Sequence, residues 1–383
     1  MASGSAEKKL KGVYLVPDPL MMKPHFGPSE HIKVGIEQLK KYFDIDLLIL
    51  GENLTVPDLK IEKSLTKGRA TNNGFVGLLR DVKLYIKSNR TKSKLKADLI
   101  KREAAFIYER GQYLDFRGVN VAQELGIPHF YEVNWLNYLG IRQFYFSWFN
   151  PLARIMEERA YSRSSLNFFI GTQHRLIEIS SDKVHVIQNG IHDELMNNNY
   201  QLQNIVKDKV SICYVANLMP HHRFEVFLDA LKIAKVENRI VLHMIGYHFE
   251  KYADQLPKGL EFYLHGPKRK EELPALMKQC NVGLISGGPS YSSFMKLFEY
   301  AAFKMCVVCP DLENIQLMFS QDEIVYFKTD DADSLANQLQ NICTDHAVIP
   351  HFGNNIFSKV KEKYTWEKIY ADVKNQMQRK MTL

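Results

Sequence analysis

Residues Cys280–Asp311 read CNVGLISGGPSYSSFMKLFEYAAFKMCVVCPD, and this stretch decides the fold. Val282-Gly283-Leu284-Ile285 is an apolar run of strand length, broken by Gly287-Gly288-Pro289-Ser290. Ser292 and Ser293 then open a predicted helix that runs through Glu299 to the region of Lys304, and Cys306–Cys309 is the next apolar strand. A strand, a turn of small residues and a helix start together present backbone N–H groups at the positive end of a helix dipole. That arrangement is an anion site, suited to a diphosphate.

The same alternation extends in both directions. Lys11–Pro17 predicts a first strand, Glu30–Tyr42 a helix and Asp46–Leu50 a second strand, so the chain begins as a β-α-β unit. Further strand and helix signals fall at Ala105–Tyr108, Val119–Leu125, His129–Val133, Phe149–Ser162, Phe168–Gly171 and Val184–Gln188. The polar run Glu194–Lys209, with Asn197, Asn198, Asn199 and Gln201, predicts a linker. A second series follows: strand Val210–Ala216, helix Phe224–Lys235, strands Arg239–Gly246 and Leu260–His265, helix Lys270–Gln279. Repeated βα units of this kind predict an α/β protein with a parallel doubly wound sheet in each half, and ligands bind at the C-terminal ends of such strands.

Composition agrees with two ordinary domains. The 383 residues suffice for two cores, and 45% hydrophobic with 24% charged residues is average for a globular protein, so a disordered chain is not expected. Five cysteines argue against a disulfide framework; Cys306 and Cys309 have redox-like spacing but sit in an apolar strand pattern and read as buried thiols in a reducing compartment. No apolar run is long enough to span a bilayer, and Met1–Lys9 lacks the apolar core of a signal peptide, so the expectation is a cytoplasmic protein.

A formal charge of +7 calls for an anionic partner. Arg80, Lys83, Lys87, Arg90, Lys92, Lys94, Lys96, Lys101 and Arg102 crowd one stretch whose only acids are Asp81 and Asp98. Its first half also carries Phe75, Val76, Leu78, Leu79, Val82, Leu84, Tyr85 and Ile86. Two readings stand: a basic amphipathic helix on the surface of an anionic bilayer, or a helix packed on the first domain with a solvated lysine face. The basic residues lack the interleaved aromatics of a stacking surface, so nucleic acid is not expected as a partner.

Lys296-Leu297-Phe298-Glu299-Tyr300-Ala301-Ala302, followed by an apolar strand and Asp311, resembles the donor-binding signature of glycosyltransferase family 4, the retaining GT-B enzymes. Three further segments are similar to that family in the same order: Tyr108-Glu109-Arg110 through Pro128 and Glu132-Val133-Asn134, Val186–Ile191, and Tyr214–Leu218. The resemblance implies two Rossmann-like domains facing across a cleft. An acceptor-side domain would span 1–195, a nucleotide-sugar domain 205–364, and the C-terminal helix 365–383 would pack back on the first.

By family position, Glu299 would hold the donor ribose, and the backbone at Ser293, Phe294 and Met295 the distal phosphate, with Lys296 beside it. The family's glutamate eight residues before Glu299 is replaced by Tyr291, and its basic pair falls on Asn217 and His222. Either the missing charge is displaced to Arg223, to protonated His221 and His222, or to Lys268-Arg269-Lys270, or the donor needs less neutralisation. Glu132 matches the place of a sugar-contacting histidine and would hold a sugar hydroxyl or stabilise an oxocarbenium-like transition state; the alternative is that it caps a loop or pairs with a basic residue. Gly27 lies in the loop expected under the donor phosphates, with Asp18, His25 and Asn134 on the acceptor side. Trp135, Leu136, Tyr138, Phe144, Tyr145, Phe146, Trp148 and Phe149 form the densest aromatic group, suited to a sugar, a lipid interface or a core.

No metal or cofactor is implied, and Asp330-Asp331-Ala332-Asp333 reads as a helix cap. The function implied is retaining transfer of a sugar from a nucleotide-sugar to a glycan or lipid-linked acceptor, in bacterial surface polysaccharide synthesis, with peripheral contact at the inner face of an anionic membrane. A nucleotide-sugar epimerase and a catalytically silent glycan-binding or scaffold protein of the same fold are the alternatives.

Overall fold

The computed structural model describes residues 9–22, 27–50, 73–143, 145–197, 200 and 209–382. His25, Phe144, Asn198, Asn199 and Gln201, singled out above, lie outside them. The chain forms two compact units, Met1–Ile187 with Tyr370–Leu383, and Gln188–Ile369.

In the first unit, β1 (Lys11–Val16), β2 (Asp44–Ile49), β3 (Phe106–Arg110), β4 (His129–Val133), β5 (Leu166–Ile170) and β6 (Val184–Ile187) make a parallel sheet. Its order is β2-β1-β3-β4-β5-β6. The second unit repeats the pattern with β7 (Val210–Val215), β8 (Ile240–Ile245), β9 (Glu261–Gly266), β10 (Val282–Leu284), β11 (Cys306–Pro310) and β12 (Val325–Phe327), ordered β12-β11-β10-β7-β8-β9. Every residue of β3, β4, β5 and β11 is buried, as a parallel sheet covered by helices on both faces requires. All five cysteines are free and buried.

In each unit the winding reverses beside the first strand, between β1 and β3 and between β7 and β10. That switch point leaves a crevice beyond the strand ends. In the second unit Gly283 lets the helix Met295–Ala302 settle on β10: a Cβ there would lie 2.3 Å from the Tyr300 ring. The helix Phe224–Ala234 buries Phe224, Phe227, Leu228 and Leu231, the period of one apolar face.

Several elements differ from the sequence expectation. The units divide between Ile187 and Gln188, ahead of the polar run at Glu194–Lys209, because the second unit holds the residues that follow β6. Gln188 Nε2 donates to Asn314 Oδ1 at 3.0 Å and Ile191 N–H to the Tyr364 carbonyl at 3.0 Å. The closing helix Trp366–Met381 passes from the second unit to the first at Tyr370, whose hydroxyl reaches Glu132 Oε2 at 3.4 Å. The basic stretch is two helices, Gly74–Arg90 and Lys92–Lys101. The short strand β12 and the helix Val348–Lys363 had no expectation.

Candidate functional site

The switch point of the second unit is bordered by the loop Ala216–Arg223 after β7 and the loop Ile285–Phe294 after β10. Ser286 ties them together: its Oγ donates to the His222 carbonyl at 2.7 Å and lies 2.6 Å from the Tyr214 hydroxyl. Gly287 is needed because Arg223 crosses it, its Cγ only 2.4 Å from where a Cβ would sit. Asn189 fixes the far end of the loop, its amide donating to the Ser293 carbonyl at 2.6 Å and its backbone N–H to Ser293 Oγ at 2.9 Å. The helix Met295–Ala302 then begins at Phe294 without a side-chain cap.

One lysine and two imidazoles stand around this helix start. Burial holds the Lys296 amine below its ordinary value, opposed by Glu299 one turn on. The His221 and His222 rings lie against each other, tilted by 44°, with centroids 4.3 Å apart. Burial and then Lys296 hold His221 low, and burial, Lys296 and His221 pull His222 down to about 3. His222 Nδ1 accepts the Met219 N–H at 3.0 Å, so the neutral ring carries its proton on Nε2. A desolvated amine beside a helix N-terminus is stabilised as a cation by an incoming anion.

The residues expected to bind a donor here, Ser293, Phe294, Met295, Lys296 and Glu299, are thus on one loop and helix start, with His222 beside them. Arg223 departs from the expectation. Its backbone is left-handed (φ 52°), and its guanidinium is engaged by Asp330 at 2.7 Å and Glu225 at 3.7 Å. Asn217 is exposed beside Gly246 of the β8 end, and Tyr291 is half-buried. Arg269, in the alternative basic triplet, pairs with Glu272 at 3.1 Å. Asp331 caps the helix Ala332–Thr344 by accepting the Ser334 N–H. A separate cavity of about 400 Å³ beyond β11 and β12 is lined by Asp311, Tyr326 and Lys328, and Asp311 is engaged by the Thr329 N–H and hydroxyl at 2.8 and 2.6 Å.

In the first unit, Glu132 at the end of β4 has no exposed surface. The Tyr108 hydroxyl donates to its Oε2 at 2.7 Å, Arg110 Nη1 pairs with Oε1, and His31 Nδ1 lies 3.1 Å from Oε1. His31 and Arg110 hold its carboxyl far below the usual range against a large burial penalty. A carboxylate saturated by its own protein cannot also hold a sugar hydroxyl, so the expected ligand contact is replaced by an internal ion cluster. Asn134, two residues on, is exposed, and Gly27 begins the helix Gly27–Lys40. Sequence reasoning missed Ser286, Arg110 and His31; the Asn189 anchor was present in the quoted Val186–Ile191 segment without its role.

Residues 223–375 match the family model described as glycosyl transferase-like. No curated protein matches the chain. Among solved structures, sucrose-phosphate synthase from Thermosynechococcus elongatus is similar at 15% identity and a TM-score of 0.69, over 97% of this chain and 99% of that one. HepE of Anabaena in complex with UDP is similar at 14% identity and a TM-score of 0.67, over 96% and 100%. The lipopolysaccharide outer core galactosyltransferase WaaB is similar at 14% identity and a TM-score of 0.65, over 97% and 100%. The fold is GT-B.

Proposed function

We propose that the chain is a retaining, metal-independent hexosyltransferase that moves a sugar from a nucleoside diphosphate sugar to a hydroxyl of a glycan or lipid-linked acceptor. The observation that carries this reading is the setting of Lys296, a half-buried residue whose desolvated amine stands beside two neutral imidazoles at an uncapped helix start on the switch point. Glu299 would accept from the ribose hydroxyls, and the backbone at Ser293, Phe294 and Met295 would donate to the distal phosphate, with Asn217 and Gly27 as further donor-side positions. Lys296 supplies charge to the leaving diphosphate, and His222 an uncharged Nε2–H donor. Glu132 acts through Arg110 and His31 as a positioning residue, and His25 and Asn134 remain acceptor-side candidates. HepE has been solved with UDP and with UDP-glucose, which supports uridine nucleotides as the first donors to try. Surface polysaccharide synthesis at the inner face of a bacterial membrane fits such an acceptor, with WaaB as a structural parallel.

One observation favours a second reading. With Arg223 bound to Asp330 and Tyr291 in place of a glutamate, two of the charges the resemblance implies are engaged elsewhere or replaced, as in a catalytically silent binding protein. The test is thermal unfolding with a panel of nucleotides and nucleotide sugars, comparing the native chain with Glu299→Ala. A ligand at a hundred times its Kd stabilises the fold by about 2.7 kcal/mol. Stabilisation lost in the variant, with slow hydrolysis of the same donor, supports the transferase. Binding without turnover supports the silent protein, acceptor-free conversion an epimerase, and no binding defeats all three.

A further inference from the structure

The helix Gly74–Arg90 packs the wrong way round for a surface helix of a globular domain. The residues it buries completely are Gly74, Gly77, Asp81 and Ser88. The two glycines bring the helix onto the segment Phe146–Trp148: a Cβ at Gly74 would lie 2.2 Å from Trp148 Nε1, and one at Gly77 2.2 Å from the Phe146 carbonyl. Asp81 accepts from the hydroxyls of Tyr145 at 2.5 Å and Tyr113 at 3.1 Å, and Ser88 donates to the Leu114 carbonyl at 3.0 Å. Leu78, Leu84 and Tyr85 pack beside these on the aromatic core of the unit.

The large apolar side chains point the other way. Phe75, Leu79 and Ile86 are 48%, 55% and 47% exposed. Trp148 is 60% exposed and meets Phe75 edge-on, with ring centroids 6.2 Å apart. At 100° per residue Phe75, Leu79 and Ile86 form one stripe, and Lys83, Lys87 and Arg90 form a second stripe immediately beside it. An ordinary surface helix turns its apolar stripe inward, so an outward stripe of this size has a partner elsewhere.

We infer that this face docks on a bilayer containing anionic phospholipid, with Phe75, Leu79, Ile86 and Trp148 entering the interface and Lys83, Lys87 and Arg90 on the headgroups. Parallel apolar and cationic stripes with an indole at the rim are the pattern of a helix lying in the plane of a membrane. A second copy of the chain fits less well, because a two-fold contact through one helix brings its lysines against their own copies. The inference is separate from the choice of donor, since no residue of the helix belongs to the second unit.

The experiment is flotation of the full chain with vesicles of phosphatidylcholine alone and of phosphatidylcholine with an equal part of phosphatidylglycerol. Binding to the anionic vesicles alone is expected, with a blue shift of Trp148 emission that is absent in Trp148→Phe. Phe75→Ser with Leu79→Ser should weaken it at least tenfold, and Lys83→Gln with Lys87→Gln and Arg90→Gln on the order of a hundredfold, at unchanged melting temperature. Phe75, Leu79, Lys83 and Arg90 are exposed and Lys87 is half-buried, so both variants should fold. No binding to either vesicle, or equal binding by the variants, overturns the inference. So does a dimer in solution that Phe75→Ser abolishes, which would assign the face to a second copy.

Discussion

The Ser286 hydroxyl donates to the His222 carbonyl at 2.7 Å and lies 2.6 Å from Tyr214 Oη, which makes one buried serine the joint between two loops of the candidate site. Ser286 is 1% exposed, and removing its hydroxyl takes the shorter hydrogen bond from the His222 carbonyl while the Tyr214 hydroxyl keeps its own bond to that carbonyl at 3.3 Å. Ser286→Ala is expected to cost about 0.5–1.5 kcal/mol in urea unfolding. It should also weaken nucleotide binding, because the His222 loop loses its register against the helix start. A variant as stable as the native chain, with unaltered affinity, would remove the serine from this role.

Lys296 gives the sharpest prediction for binding. Charge-assisted hydrogen bonds to phosphate contribute more than neutral ones, so Lys296→Met should weaken UDP binding at least tenfold and uridine binding hardly at all. Its amine is held below 10.5, so the cation is lost as pH rises through that lowered value. UDP affinity in the native chain should therefore decline at a lower alkaline pH than an ordinary lysine would dictate. Calorimetric titration against pH, with uridine as the uncharged control, reads both effects.

In the first unit Glu132→Gln should leave Arg110 as a buried, uncompensated charge, at a cost of about 3–5 kcal/mol in chemical denaturation. The folded carboxyl is depressed relative to the unfolded one, so its stabilisation is present above the ordinary 4.5 and is lost as pH falls through the folded value. A loss under 1 kcal/mol in Glu132→Gln would mean that the Tyr108 and His31 contacts hold the cluster without the charge.

The two doubly wound sheets were legible because parallel strands buried on both faces spell out continuous apolar runs, as at His129–Val133 and Cys306–Pro310. The loop and helix after β10 were legible because Gly287 and Gly288 and the segment Lys296–Ala302 are local features. The fate of Glu132 was not, since Arg110, His31 and Tyr370 reach it from three other elements and only the fold brings them together. Arg223 was misread for a similar reason: Asp330, its partner, lies over a hundred residues away. The basic stretch near Lys83 was legible in composition but not in orientation, which Gly74, Gly77 and Asp81 decide by packing inward.

His129 and Glu109 form a buried pair, Nε2 to Oε2, at 2.6 Å. His129 Nδ1 lies 2.9 Å from Ser164 Oγ, and that hydroxyl itself donates to the Ala160 carbonyl, so Nδ1 is the ring's donor and Nε2 its acceptor. Glu109 must then carry the shared proton, in agreement with burial pushing its carboxyl well up and the imidazole down to about 3. For His129 the folded value lies below the unfolded 6.5, so the unfolded chain binds the extra proton and stability falls as pH drops from 6.5 toward 3. The slope from this one residue is about 1.4 kcal/mol per pH unit, and Glu109, protonated in the folded chain but ionised in the unfolded one above 4.5, contributes a slope of opposite sign, so the native pair nearly cancels between pH about 6 and about 5. His129→Gln, in which the amide can accept from the Glu109 hydroxyl, leaves the Glu109 contribution alone, so relative to the native chain its stability should rise by about 1 kcal/mol as pH falls from about 6 to about 5 while the fold is retained. Urea unfolding of both chains across that interval measures it; an unchanged slope would mean that His129 is not the group taking up the proton.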